Sequence, residues 1–264
     1  MKLAVLITAR LKSERLKRKA LAPILGRPMI AHQIDRLRTG ERPESVIVCT
    51  SKVEQDDDLA SLARAEGAGL YRGEPEDVLK RVRDASHAFD CDAVFVCGAD
   101  NPLVDPVEMD RLLAFLVDGG YDYATTTGLP FGAFGWAVTR PALERACAIK
   151  ATDLTEAWLG YFTQTGLFRC GELEARETAR RPGLRITVDT PQDFQLMTRI
   201  FEALYRLDGK AGPTPAGDVF PLEDVIRLCD ERPELPALNA SVQQKTPLPI
   251  RLRPDWSEPR ARVG

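Results

Sequence analysis

Apolar and polar positions follow two different periods along the first half of the chain. Three short apolar runs, Leu3–Ile7, Ser45–Cys49 and Ala93–Cys97, carry the signature of strands buried on both faces. Amphipathic segments at 28–39, 56–66 and 75–88 separate them; in the last, Val78, Leu79, Val82 and Ala85 fall at helical spacing. The pattern continues with a helix at 106–117, strands at 121–126 and 134–139, and helices at 141–149 and 153–163. This alternation predicts an α/β fold, a Rossmann-like, mixed but mostly parallel sheet with helices on both faces.

Two helix starts are set by local chemistry. Asp105-Pro106-Val107-Glu108 offers an acceptor at the N-cap, proline in the first turn and an acid two residues later. Thr190-Pro191-Gln192-Asp193 repeats that logic and opens a helix with Phe194, Met197, Phe201 and Leu204 on one face. Beyond Leu207 the composition changes. The stretch DGKAGPTPAGD (208–218) is a linker by its glycine and proline content, followed by a short helix at 221–231 and a proline-rich tail. One domain is therefore expected over 1–207. Residues 208–264 are read as linker, short helix and extended tail, with the last ten or so residues poorly ordered.

Composition narrows the function by exclusion. A net charge of −3 argues against a general nucleic-acid or membrane-surface binder. The sequence shows neither the apolar core of a signal peptide nor a window approaching the roughly 18 apolar residues of a membrane span. Six cysteines without CxxC spacing, with Cys49 and Cys97 inside apolar runs, suit reduced thiols and a cytoplasmic location.

Against this acidic balance, the loop after the first strand is densely cationic: TARLKSERLKRKAL, Thr8 to Leu21. Ligands of open α/β sheets bind beyond the carboxyl ends of the strands. The loop carries neither GxGxxG nor GxxxxGK[ST], but Arg10, Ser13, Arg15 and Lys19 are spaced to embrace several phosphate groups. Two further places lie at the ends of apolar runs. Val94-Phe-Val-Cys-Gly98-Ala-Asp100 ends in an acid with no evident structural task, because Asp105 caps the next helix. Arg185-Ile-Thr-Val-Asp189 ends likewise, with Thr190 as the better cap. Two such acids suggest one divalent-cation site against phosphate oxygens.

With these residues in view, the chain resembles the sugar nucleotidyltransferases, in particular the spore-coat polysaccharide cytidylyltransferases and the enzymes that activate deoxy-octulosonate and acylneuraminate. Ala9-Arg10-Leu-Lys-Ser13-Glu-Arg15-Leu16-Lys17-Arg18-Lys19 is similar to their opening A-R-x-x-S-x-R-[LF]-P-x-K. Val48-Cys-Thr50-Ser51, Tyr71-Arg72-Gly73-Glu-Pro-Glu-Asp77, Gly98-Ala-Asp100-Asn-Pro-Leu-Val-Asp105 and Arg185-Ile-Thr-Val-Asp189-Thr-Pro-Gln-Asp193 continue the likeness. The tail segment Leu235–Lys245 also looks like a C-terminal element of the family.

The resemblance implies a nucleotidyltransferase that moves CMP from CTP to a sugar acid, sugar phosphate or related acceptor and releases pyrophosphate, for polysaccharide or glycoconjugate synthesis. It further implies that Ala9, Arg10, Ser13, Arg15 and Lys19 wrap the triphosphate, and that Asp100 and Asp189 hold Mg²⁺. Thr50, Ser51, Arg72, Gly73 and Asp77 would lie near base and ribose, and relatives commonly form homodimers. Arg10, Lys19, Asp100 and Asp189 would be the catalytic set, with no protein nucleophile. His32, on a helical segment, is assigned to packing.

This chain departs from the pattern at Lys17, where relatives carry proline. It departs again at Leu129-Pro-Phe131-Gly132-Ala-Phe134-Gly-Trp136, where two acids of the acceptor side give way to aromatics. Alternatives stay open on sequence alone. GTP could replace CTP, and the altered acceptor region would also suit a non-catalytic nucleotide-binding relative. A glycosyltransferase would need a DxD after a strand, whereas Asp90-Cys-Asp92 precedes its strand.

Overall fold

The computed structural model describes residues 1–12, 15–205, 219–244 and 249–254. Strand β1 (Leu3–Thr8) leads through the basic loop into a small antiparallel pair, β2 (Pro23–Ile24) and β3 (Arg27–Pro28), and then helix α1 (Met29–Leu37). The next units are β4 (Ser45–Ser51) with α2 (Asp57–Ala65), and β5 (Gly69–Gly73) with α3 (Val78–Ala88). After β6 (Ala93–Gly98) come α4 (Pro106–Gly119), β7 (Tyr123–Thr127), β8 (Trp136–Thr139) and α5 (Arg140–Ile149). Helix α6 (Gly160–Thr163), β9 (Cys170–Glu174), α7 (Pro191–Leu204), α8 (Leu222–Glu231) and α9 (Glu234–Ala237) complete the order.

The main sheet has seven strands in the order β5-β4-β1-β6-β8-β7-β9, and β8 alone runs antiparallel to both of its neighbours. The period of two along β1 explains why helices cover both faces. Leu3, Val5 and Ile7 point into one apolar cluster with Ile30, Ile34, Leu59, Leu112 and Leu116 of α1, α2 and α4. Ala4 and Leu6 point into another with Leu79, Val82, Leu143 and Ala146 of α3 and α5. A third cluster joins α7 and α8 to Ile24, Met29, Ile186 and Val188, attaching the C-terminal helices to the site rather than to the sheet centre.

Both anticipated caps form. The Asp105 carboxylate accepts from Val107 N at 3.0 Å, and Thr190 and Asp193 close a reciprocal capping box. His32 is buried, with Nε2 2.9 Å from the Ile24 carbonyl, a packing role as expected. The helix expected at 153–163 is reduced to the single turn of α6. Thr155 is drawn out of it: its hydroxyl donates to Asp77 Oδ1 at 2.8 Å and accepts from Leu79 N at 2.9 Å. The extended segment 185–188 is not a strand of the sheet. It pairs through a single bridge, Phe131 to Arg185, and through Val188 N to the Asp100 carbonyl at 2.8 Å.

Strands β5 and β9 lack a sequence signal because both are edge strands, short and polar, with glycines that interrupt the apolar period. The segment 208–218 and the last ten residues, expected as linker and loose tail, lie outside the described residues.

Candidate active site

The basic loop is fixed at its root before any ligand is considered. Ala9 N extends the pairing of β1 with β4 by donating to the Cys49 carbonyl at 3.1 Å. Leu11 N then donates to Asp56 Oδ1 at 2.7 Å. The Asp56 side chain is buried and also receives the Ser51 hydroxyl, so one carboxylate ties the loop to the tip of β4. Asp56 carried no distinguishing mark in the sequence beyond its place at a helix start.

From this root the cations separate into two groups. Arg10 turns to the loop after β5, bonding the Pro75 carbonyl and pairing with Glu76 at 2.9 Å; Lys12 reaches the same Glu76 at 3.2 Å. Arg15 and Lys19 turn the other way. Lys19 Nζ lies 3.0 Å from Asp100 Oδ2 and 2.9 Å from Asp189 Oδ1, and Arg15 lies 3.2 Å from the same Asp189 oxygen. Arg18 has a positive φ of 54°, which folds the loop back so that Lys19 points inward while Arg18 itself pairs outward with Asp58. Ser13 lies outside the described residues.

Three segments far apart in sequence therefore meet at one ammonium nitrogen. Asp100 is placed by a tight turn after β6. A Cβ on Gly98 would stand 2.3 Å from Asp100 Oδ1, so only glycine lets that carboxylate fold back over its own strand. Gln33 of α1 holds the turn from behind, donating to the carbonyls of Gly98 at 2.9 Å and Asn101 at 3.0 Å.

Asp189 is placed by a second carboxylate. Asp193 accepts from Asp189 N at 3.0 Å and Thr190 N at 2.9 Å, pairs with Arg185 at 2.9 Å, and receives Asn239 Nδ2 at 2.8 Å. Arg185 in turn reaches Asp189 Oδ2 at 3.1 Å.

The charges follow from these contacts. Burial alone would lower the Lys19 pKa, but the adjacent Asp100 and Asp189 carboxylates outweigh it and raise it. Burial alone would raise Asp189, but Lys19, Arg15 and Arg185 hold it below the usual carboxylate range. For Asp193 the same opposition ends at about 2, through its bonds to Arg185, Asn239 and the Asp189 amide.

Two carboxylates converging on one cation form the kind of hard-oxygen site that suits Mg²⁺, which is held by one or two carboxylates plus substrate phosphates and water. Among the described residues no cluster of three or more His, Cys, Asp or Glu is placed to bind a metal. Any further oxygen ligands would thus come from outside that set, as phosphate does.

A family model described as cytidylyltransferase matches residues 4–208. The chain belongs to the cytidylyltransferase family. The spore coat polysaccharide biosynthesis protein SpsF of Bacillus subtilis is 28% identical over 224 residues, which span 82% of this chain and 92% of SpsF. A cytidylyltransferase structure from Leptospira borgpetersenii superimposes with a TM-score of 0.80 at 22% identity, covering 92% of this chain and 100% of its own. The structure of a CMP:2-keto-3-deoxy-manno-octonic acid synthetase complexed with CTP gives 0.59 at 20% identity, covering 76% of this chain and 99% of its own. The two structural likenesses carry the fold, which is the α/β nucleotidyltransferase fold expected from the sequence.

Within this cytidylyltransferase the remaining expected site residues form a wall beside the opening loop. Thr50 and Ser51 are fully buried at the tip of β4, and the Ser51 hydroxyl is already bonded to Asp56. Arg72 spans from β5 to the 51–57 segment, donating to the Ser51 carbonyl at 2.8 Å and pairing with Asp57 at 2.6 Å. Gly73 receives Lys52 N at 3.0 Å, and a Cβ there would press on the Arg81 side chain at 2.9 Å.

Asp77 is 1% exposed. It caps α3 through Lys80 N at 3.1 Å while pairing with Lys150 and accepting from Thr155. In this arrangement its carboxylate is consumed by the fold and does not face the cleft. The structure thus brings together Arg15, Lys19, Asp100 and Asp189, sets Arg10 to one side against Glu76, and places Thr50, Ser51, Arg72, Gly73 and Asp77 behind them. Asp56, Gln33 and Asn239 went unread as site residues, because each acts through a backbone group or a second carboxylate rather than at the cleft.

Proposed function

We propose that this cytidylyltransferase transfers CMP from CTP to a sugar-like acceptor, releasing pyrophosphate, with Mg²⁺ held by Asp100 and Asp189. The observation that carries the reading is the convergence of Lys19 and Arg15 on Asp100 and Asp189 at the carboxyl end of β6, beside a loop whose Arg10, Lys12 and Arg18 pair with surface acids. Pairs of that kind, near water, are worth about 0–1 kcal/mol each, so a triphosphate can displace them at small cost.

An acceptor oxygen attacks the α-phosphorus as the bond to the bridging oxygen breaks. Pyrophosphate leaves with the electron pair, and a hydroxyl acceptor loses its proton to solvent. Bound Mg²⁺ would neutralise phosphate charge and orient the in-line displacement. Lys19 and Arg15 supply fixed positive charge where the leaving oxygens gather charge, and Arg10 reaches the nucleotide from the β5 side. The chain's own task is positional, so a protein nucleophile is unnecessary.

Pyrophosphate release measured with CTP, GTP, ATP and UTP, with Mg²⁺ or with EDTA, tests the reading. Release with CTP and an acceptor mixture, abolished by EDTA, is expected. Metal-independent release, or equal release from all four triphosphates, would contradict it.

A further inference from the structure

Arg81 of α3 is a buried cation that the transfer step leaves without a task. It is 1% exposed and heads the fully buried side chains in size among the described residues. An arginine keeps its charge inside a protein, and a buried charge is costly unless a counter-charge meets it. The partners of Arg81 are carbonyl oxygens instead. Its Nη1 donates to Glu74 at 2.8 Å and to Pro75 at 3.2 Å, and its buried Nε has no partner among the described residues. Burial lowers its pKa; Cys49, Asp56 and Asp77 oppose that through space, while Arg10 adds to it. An apolar side chain would fill this space at lower cost. It would not hold two carbonyls of one turn.

That turn joins β5 to α3, and each of its carbonyls from Gly73 to Glu76 has a donor. Gly73 accepts from Lys52 N at 3.0 Å, and Glu76 from Val78 N at 3.2 Å and Thr155 N at 3.3 Å. The two between them, Glu74 and Pro75, are held by Arg81. Gly73 lies against the stem of the same side chain, where a Cβ would stand 2.9 Å from Arg81 Cγ.

The Pro75 carbonyl is where this buried group meets the opening loop. Arg10 Nη1 donates to the same oxygen and pairs with the Glu76 carboxylate at 2.9 Å. Two guanidinium groups thus share one acceptor, Arg81 enclosed in the wall and Arg10 on the loop. Because packing fixes the Arg81 fork, the oxygen it holds is a fixed point for Arg10. A long side chain seated in this way has given up much of its rotamer freedom before any ligand arrives.

We propose that Arg81 is a positioning residue for nucleotide binding: it fixes the 74–76 turn from within, and the turn presents Arg10 to the triphosphate. This rests on the nucleotide reading above. Arg81 touches no substrate and acts through Arg10.

The experiment is a double-mutant cycle on the full chain: the parent protein, Arg10→Met, Arg81→Met and the double variant. Calorimetry with Mg²⁺ present gives the CTP dissociation constant of each, and urea unfolding reports whether each is folded. Arg81→Met is expected to weaken CTP binding about ten-fold in the parent background, as for loss of a charge-assisted hydrogen bond. In the Arg10→Met background the same change is expected to weaken it by less than about two-fold, because the group through which it acts is already gone. Arg81→Lys keeps the charge but lacks the planar fork, and the cycle built on it is expected to show the same pattern. Equal weakening in both backgrounds, or undiminished CTP binding in a folded Arg81 variant, would overturn the proposal. Failure of both Arg81 variants to fold would assign the residue to stability alone and overturn it as well. If the parent protein does not bind CTP with Mg²⁺, the nucleotide reading itself falls, and the proposal with it.

Discussion

Asn239, two residues past α9, donates through Nδ2 to Asp193 Oδ1 at 2.8 Å, and Asp193 in turn holds the backbone amide of Asp189 at 3.0 Å. Through this relay the C-terminal segment fixes a carboxylate at the centre of the candidate site. Asn239 is 2% exposed and also donates to the Arg185 carbonyl at 3.2 Å. Asn239→Ala is expected to cost about 1–3 kcal/mol of stability by taking one donor from Asp193, which keeps Arg185, and from the Arg185 carbonyl, and to raise the Mg²⁺ concentration needed for half-maximal pyrophosphate release. Urea unfolding and a Mg²⁺ titration measure the two effects. An unchanged Mg²⁺ requirement in a folded variant would confine Asn239 to stability.

Lys19 stands where a cation between Asp100 and Asp189 would stand. Lys19→Met is expected to lower the rate of pyrophosphate release by about 10²–10³-fold, as for loss of one preorganised electrostatic donor. It should also create a thermal stabilisation by Mg²⁺ alone that is smaller in the parent protein, because the ammonium no longer competes for the two carboxylates. Differential scanning fluorimetry without nucleotide checks this. Identical Mg²⁺ responses would separate Lys19 from the metal position.

Asp77 is the residue on which the sequence reading and the geometry differ most. Its carboxylate is buried between Lys150, Thr155 and the first turn of α3. Asp77→Ala should unfold at lower denaturant, by about 3–5 kcal/mol as for a broken buried pair, while the folded fraction keeps its KM for CTP. A selective rise in KM at unchanged stability would restore the ribose-side role.

The acid limb of stability should carry the signature of Asp193. Its folded-state pKa, at about 2, lies below the unfolded value, so ionisation favours the folded chain. The contribution is complete above about pH 4 and fades as pH falls toward the folded pKa. Asp193→Asn is expected to flatten the fall in unfolding free energy between those limits, measured by urea titration at a series of pH values. An unaltered slope would mean that other carboxylates dominate.

The sequence was most legible where a residue acts at its own position. The apolar runs of β1, β4 and β6 mark buried parallel strands, and Asp105 and Thr190 mark helix starts, because period and capping are local properties. Lys19, Asp100 and Asp189 were legible as a set through the ends of apolar runs and a family likeness. What stayed hidden was relational. Thr155 leaves its helix for Asp77, and β5 pairs as an edge without an apolar period. Asp56, Gln33 and Asn239 support other residues' backbones, and neither pattern nor composition marks such partners.

The contact of Lys19 with Asp100 and Asp189 spans 81 and 170 residues of chain. This separation gives the site a place in time as well as in space. During synthesis the cationic loop emerges early, and its two carboxylates follow only after most of the sheet has been made. The Asn239 relay arrives later still. A chain stopped after β9 would therefore hold the wall at the tips of β4 and β5 with no acid at position 189 to complete the candidate centre. Activity becomes a report that synthesis has reached the far end of the fold.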